Sequence, residues 1–197
     1  LRRFFSKIVV KTGKGMKFGK RHYRAQVDTR DCGVAALAMI LEYYRSHHSL
    51  ASLREMAKTT MEGTTAFGLV KVAEELGFET RAIKADMSLF SMREAVYPFI
   101  AHVVKDGTLL HYYVVIGADK KYIYIADPDP SVKLTKLSHE QFEKEWTGVS
   151  LFMSPKPEYQ PHKEKSHGLL SFIPLLTKQK GLITNIVLAT LLVTFIN

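Results

Sequence analysis

The hydrophobic period of this chain changes once, near its middle, and that change constrains the fold more than any other feature. In the first half, apolar residues recur at three- and four-residue spacing; in the second they come in short runs rich in aromatic and β-branched residues. The first pattern buries one stripe of a helix, the second a pleated surface. "DCGVAALAMILEYY" predicts a helix starting at or next to Cys32, with Asp31 as its N-cap and Val34, Leu37, Ala38 and Leu41 facing inward. "SLASLREMAKTT" reads as a second, shorter helix. "TTAFGLVKVAEELGF" reads as a third, closed by Gly77 after Leu69, Val72, Ala73 and Leu76.

"ETRAIKA" then reads as a strand. "FIAHVVKDG", "TLLHYYVVIG" and "KYIYIADP" read as three strands joined by turns, an antiparallel meander. In "LSHEQFEKEW", Ser138 followed three residues later by Gln141 is a capping-box signature for a short helix that presents Phe142 and Trp146 together. "GVSLFMS" supplies a last strand. Helices first and an antiparallel sheet second make an α+β domain.

Charge and composition divide the chain further. The net charge of +9 invites a nucleic-acid reading, but residues 1–24 hold nine of the 28 Lys and Arg and no acid, so the remainder carries 19 basic and 19 acidic residues. The excess belongs to a basic leader able to touch a membrane surface or RNA. A start-like Met16 sets off residues 1–15 as a basic extension whose origin the sequence leaves open. Residues 16–157 read as the domain, and 158–181, with "PKPEYQPHKEKSHG" at their start, as linker and juxtamembrane segment. From Leu182 to Ile196 no charge appears. A membrane span needs about 20 apolar residues, so residues 182–197 read either as the truncated start of a transmembrane helix or as an ordinary amphipathic or core helix. Lys178 and Lys180 suit a cytoplasmic entry side.

The chain has a single cysteine. An intrachain disulfide and multi-cysteine metal sites are thereby excluded, and a reducing compartment is the default. Cysteine hydrolysis needs a thiolate, an imidazole, a group that fixes the imidazole, and donors for the oxyanion. The unpaired N–H groups and dipole of a helix start favour negative charge on Cys32. Gly33 beside it leaves room for a substrate backbone, and Gln26, six residues upstream, can return an amide donor to the space above the sulfur. His111 stands in a strand-like run that gives it no packing advantage. Asp127 ends the following strand, and a hairpin brings it back toward His111.

Each of these residues also has an ordinary reading. A lone buried cysteine is often inert core, a strand histidine often packs, and an Asp before Pro is often a turn residue. His102, also in a strand-like run, competes with His111 as the base.

The stretches "QVDTRDCGVAALAMI", "LLHYYVV" and "IADPDPSVKLTKL" together resemble the N-terminal peptidase domains of bacteriocin and competence-peptide ABC transporters, peptidase family C39. "MKFGKRHYR", "REMAKTTMEGTTAFGLVKVAEELGFETRAIKAD" and "EKEWTGVSLFM" are most similar to its streptococcal competence branch. The resemblance implies a papain-like fold with Cys32 as nucleophile, His111 as base and acid, Asp127 as orienting acid and Gln26 as oxyanion donor. It implies a partner, a double-glycine leader precursor, docked as an amphipathic helix on an apolar groove near Met61 to Val72 and cut after the second glycine.

It further implies no metal or cofactor for the cut. ATP and Mg would belong to the nucleotide-binding domain of an exporter, which this chain lacks, as it lacks a phosphate loop. The peptidase domain would face the cytoplasm beneath the cell membrane, beside the transmembrane and nucleotide-binding domains of a homodimeric exporter, without nucleic acid. A noncatalytic leader-binding dock is the alternative within this family, and an RNA-binding module using the basic leader is the alternative outside it.

Overall fold

The computed structural model describes residues 18–92, 96–163 and 178–196. The basic extension 1–15 and most of the segment 158–181 therefore lie outside the described residues. The chain divides into two units, one running to Glu164 and one from Lys165 onward.

In the first unit, three helices precede most of the sheet: α1 Cys32–Tyr43, α2 Leu50–Ala57 and α3 Ala66–Glu75. Ser49 and Thr65 cap α2 and α3 by accepting from the N–H groups of Ser52 and Gly68. Gly77, at φ +89°, takes the left-handed turn that ends α3, its N–H bonded to the Glu74 carbonyl. α1 departs from the expected one-sided stripe. Every residue from Cys32 to Leu41 is buried, because α2, α3, the sheet and the Lys20–His22 turn cover it on all sides.

Six strands follow: β1 Phe78–Lys84, β2 Phe99–Lys105, β3 Leu109–Ala118, β4 Tyr122–Ala126, β5 Leu134–Ser138 and β6 Trp146–Pro155. A short helix, α4 His139–Glu145, precedes β6 and carries the reciprocal Ser138–Gln141 capping box. The strands form one antiparallel sheet in the order β1-β6-β2-β3-β4-β5. β2 to β5 are the expected meander, extended by one strand, while β6 enters between β1 and β2.

Period-two alternation sorts the strand residues between two cores. Ile100, Tyr112, Val114, Leu151 and Met153 meet the helices α1–α3. Phe99, Ala101, Tyr113, Val115 and Phe152 join Phe142 and Trp146 on the other face. Both faces are covered, which is why these strands read as nearly continuous apolar runs. The start of the expected linker is packed onto this unit: the Tyr159 ring lies 4.8 Å from that of Phe78, and the His47 N–H donates to the His162 carbonyl.

In the second unit, α5 spans Lys180–Ile196. Thr184, Thr190 and Thr194 each return their hydroxyl to the carbonyl four residues earlier, so these polar side chains are satisfied within the helix. Among the described residues no helix is long and apolar enough to cross a membrane.

Candidate active site

Cys32 is the first residue of α1 and is 5% exposed. The expected capping role of Asp31 is not what the structure shows. Asp31 closes a short 3-10 turn, Thr29–Asp31, and its side chain makes no cap to α1. Its buried carboxylate instead accepts the N–H groups of Val27 and Asp28 at 3.2 and 3.1 Å and a two-pronged guanidinium from Arg54 at 2.6 and 2.5 Å. Burial opposes the charge, but the Arg54 and backbone bonds outweigh it and hold this carboxyl below the usual carboxylate range. Asp31 thus ties the loop leading to Cys32 onto α2.

His111 and Asp127 come from adjacent strands. The β3–β4 register sets Val114 opposite Ala126, so Asp127, one step beyond, returns toward His111. His111 Nε2 donates to Asp127 Oδ1 at 2.6 Å, and both side chains are buried. Asp127 Oδ1 also accepts the Asp129 N–H at 2.9 Å, and Oδ2 accepts from Lys105 Nζ at 2.9 Å. Burial works against the charge here too, but His111, the Asp129 N–H and Lys105 keep the carboxyl ionised to lower pH than usual. For His111, burial disfavours the cation, yet hydrogen bonds to Asp127 and Cys32 win and push it up to about 9. With Nε2 given to Asp127, Nδ1 is the nitrogen left for the sulfur.

Gln26 is placed by its backbone, whose N–H donates to the Pro128 carbonyl at 2.9 Å. Its side-chain oxygen is buried and has no hydrogen-bond partner among the described residues. The Tyr23 hydroxyl reaches the carbonyls of Pro128 and Asp129, both at 3.2 Å, so the segment 23–26 is strapped to the loop that bears Asp127.

A cavity of about 250 Å³ opens beside Cys32, walled in part by Thr29, Gly63, Thr64, His102, Leu110 and Tyr112. His102 therefore shares the sulfur's cavity, but its Nδ1 meets Thr147 Oγ1 at 3.0 Å rather than a carboxylate. Gly33 corrects another expectation. It is buried, and a Cβ there would stand 3.1 Å from Thr64 Cβ and 3.3 Å from the Tyr112 ring. The space its missing side chain leaves is used by those two walls, not by a substrate. Tyr112 also donates its hydroxyl to the Thr64 carbonyl at 3.1 Å, fixing that wall.

The segment expected to form the leader groove divides: Leu69 and Val72 are core, whereas Met61 and Phe67 are 79% and 70% exposed, as is Leu110 at 63%. A larger cavity of about 550 Å³, between Arg21, Glu42, Arg45 and Lys163, holds no nucleophile. No group of three or more His, Cys, Asp or Glu among the described residues could hold a metal ion.

Lys105, Tyr23 and Arg54 escaped the sequence reading. Lys105 alone left a signal, standing directly before the Asp106–Gly107 turn of the hairpin that carries His111.

A model of the peptidase C39 family matches residues 20–158. The chain is 72% identical to the transport/processing ATP-binding protein ComA of Streptococcus pneumoniae over 182 residues, 92% of this chain and 25% of that protein. It thus spans about a quarter of the length of the curated relatives it matches. Among solved structures, the peptidase domain of Streptococcus ComA shares 53% identity at a TM-score of 0.66, covering 68% of this chain and 97% of that one. A double glycine motif protease from an AMS/PCAT transporter, in complex with its leader peptide, shares 28% identity at a TM-score of 0.59, covering 67% and 89%.

Proposed function

Because this chain belongs to the peptidase C39 family and is a cysteine peptidase, we propose that it removes the double-glycine leader from bacteriocin or competence-signal precursors. The observation that carries this reading is one buried imidazole shared between a cysteine at a helix start and a carboxylate, Cys32–His111–Asp127. The names of the relatives, transport/processing proteins and a double glycine motif protease, support the substrate.

In this mechanism His111 Nδ1 takes the Cys32 proton, and the sulfur attacks the carbonyl of the second glycine. The oxyanion accepts from the Gln26 amide and the Cys32 N–H. His111 then protonates the leaving amine, the peptide bond breaks, and a thioester remains. Water, deprotonated by His111, hydrolyses it and restores the thiol. Asp127 holds the imidazole in the tautomer and orientation that these transfers need. Exposed Met61 and Phe67, with Leu110 at the cavity wall, offer apolar surface to the apolar face of a leader helix.

The domain acts beside the transmembrane and nucleotide-binding domains of a homodimeric exporter at the cell membrane, where α5 begins the first span and ATP is bound elsewhere in the protein. The test is incubation with a synthetic double-glycine precursor followed by mass measurement. Cleavage after the second glycine by the parent and none by a folded, leader-binding Cys32→Ala is expected; equal cleavage by both removes Cys32 from the chemistry.

A further inference from the structure

We propose that Lys105 is a positioning residue of the cysteine–histidine site, locking the carboxylate of Asp127 from its far side and tempering the negative charge that His111 meets. The inference rests on the reading of Cys32, His111 and Asp127 given above.

The register of the β2–β3 hairpin makes the contact. Asp106 and Gly107 both turn in the left-handed region, at φ +53° and +75°, and the Thr108 N–H closes onto the Lys105 carbonyl. Val103 then lies opposite His111 and Lys105 opposite Leu109. Residues two apart on a strand share a face, so Lys105 and His111 are diagonal neighbours on one face of the sheet. Asp127 sits between them, with its two oxygens divided: Oδ1 serves His111 and the Asp129 N–H, Oδ2 serves Lys105.

Lys105 is itself largely withdrawn from solvent, its side chain 18% exposed, and its ammonium stands 3.6 Å from Asp129 as well. A long, flexible cation is costly to order in this way unless it satisfies a buried anion. Truncating it strands Oδ2 in a site where the carboxylate is 1% exposed, and leaves the group free to rotate about the bond that aims Oδ1 at the imidazole.

The charge has a second effect. The titratable groups around His111 are Cys32 of α1, Asp127 and Asp129 of the loop after β4, Lys105 of β2, and Tyr113 of β3, which carries Glu145 of α4 on its hydroxyl; Tyr23 packs on the same loop. Lys105 is the cation among them. It offsets Asp127 and Asp129, so the imidazolium is held firmly enough to form yet loosely enough to return its proton to the leaving amine.

The experiment compares Lys105→Met, Lys105→Gln and Lys105→Arg in the parent domain, each checked by thermal melting. Lys105→Met should lower kcat about tenfold to a hundredfold with KM within about twofold, as expected when an orienting contact is lost and substrate binding is not. The His111 titration, followed by NMR of labelled histidine rings without substrate, should move up by about one pH unit. Lys105→Arg should restore both readouts. Lys105→Gln, which keeps a donor but not the charge, should restore much of the rate while the titration stays raised.

An unmoved His111 titration in both neutral variants overturns the proposal, as does a loss confined to KM or an arginine variant no better than methionine. If Lys105→Met fails to fold, the glutamine and arginine variants decide by the same readouts. The titration needs no cleavage, so it is scored even if the parent fails to cut a double-glycine precursor.

Discussion

Replacing Asp127 with Asn keeps the shape of the side chain and removes its charge. In the parent, His111 stands at about 9 against an ordinary 6.5, with burial already subtracted. At about 1.4 kcal/mol per pH unit, the site favours imidazolium over imidazole by about 3 kcal/mol. Burial opposes that preference, and Asp127 contributes most to it, ahead of Cys32. Exchanging its charge-assisted bond for a neutral one should cost about 2 kcal/mol, roughly thirtyfold in the equilibrium constant between imidazolium and imidazole. The amide adds a second loss. Turned so that its NH₂ faces Nε2, it selects the opposite tautomer and leaves Nδ1 unable to accept the Cys32 proton, an effect able to carry the loss to about ten-thousandfold.

The sign with pH follows. His111 keeps its proton until pH rises through its folded value, so the alkaline limb of kcat/KM lies near 9 in the parent. Asp127→Asn should move that limb down by about one unit or more, opposite to the shift expected for Lys105→Met. The assay is kcat/KM for precursor cleavage from about pH 5 to about pH 10, with melting at each pH to confirm a folded enzyme. An Asn variant within a few fold of the parent rate, its limb unmoved, would refute the assignment of Asp127 as the orienting acid.

Three further outcomes are expected. Gln26→Ala should reduce kcat about a hundredfold to a thousandfold with little change in KM, measured by steady-state cleavage, because it removes one oxyanion donor. Arg54→Met should leave the 1%-exposed carboxylate of Asp31 to its two backbone donors. The cost should be about 1 to 2 kcal/mol by denaturant unfolding, less than for a fully buried pair because the guanidinium is 39% exposed. Gly33→Ala places a methyl 3.1 Å from Thr64 Cβ and 3.3 Å from the Tyr112 ring, so it should destabilise by about 1 to 3 kcal/mol and raise KM by shifting the cavity wall. A Gly33→Ala domain that melts and binds like the parent would show that those walls yield freely.

Much of this arrangement is legible in the sequence because it is local. The start of α1 at Cys32, the Gly77 stop, the Ser138–Gln141 box and the return of Asp127 toward His111 each depend on residues within one element or one hairpin. Three features are not local: the sequence misleads on two of them and leaves the third open. Asp31 looks like a cap but is claimed by Arg54 from a different helix. Gly33 looks like substrate space but is filled by Thr64 and Tyr112, residues 31 and 79 positions onward. The choice between His102 and His111 turns on which of two neighbouring strand histidines meets a carboxylate, and that depends on side-chain reach across β3 and β4. Lys105 lies between these cases: the turn beside it is plain in "VVKDGT", but its partner appears only once the hairpin register is known.

The position of β6 has a consequence for how this protein is made. Its residues emerge last among the sheet strands, yet they lie between β1 and β2, and within the sheet β1 is bound to the meander only through them. During synthesis the meander β2–β5 can zip by short hairpins, whereas two of the five ladders wait for residues 146–155 and must close across long loops. A nascent chain that has reached α4 thus has β1 still unjoined to the meander, although α1, which bears Cys32, and β3, which bears His111, have both emerged. Completion of the sheet is timed to the arrival of residues 146–155.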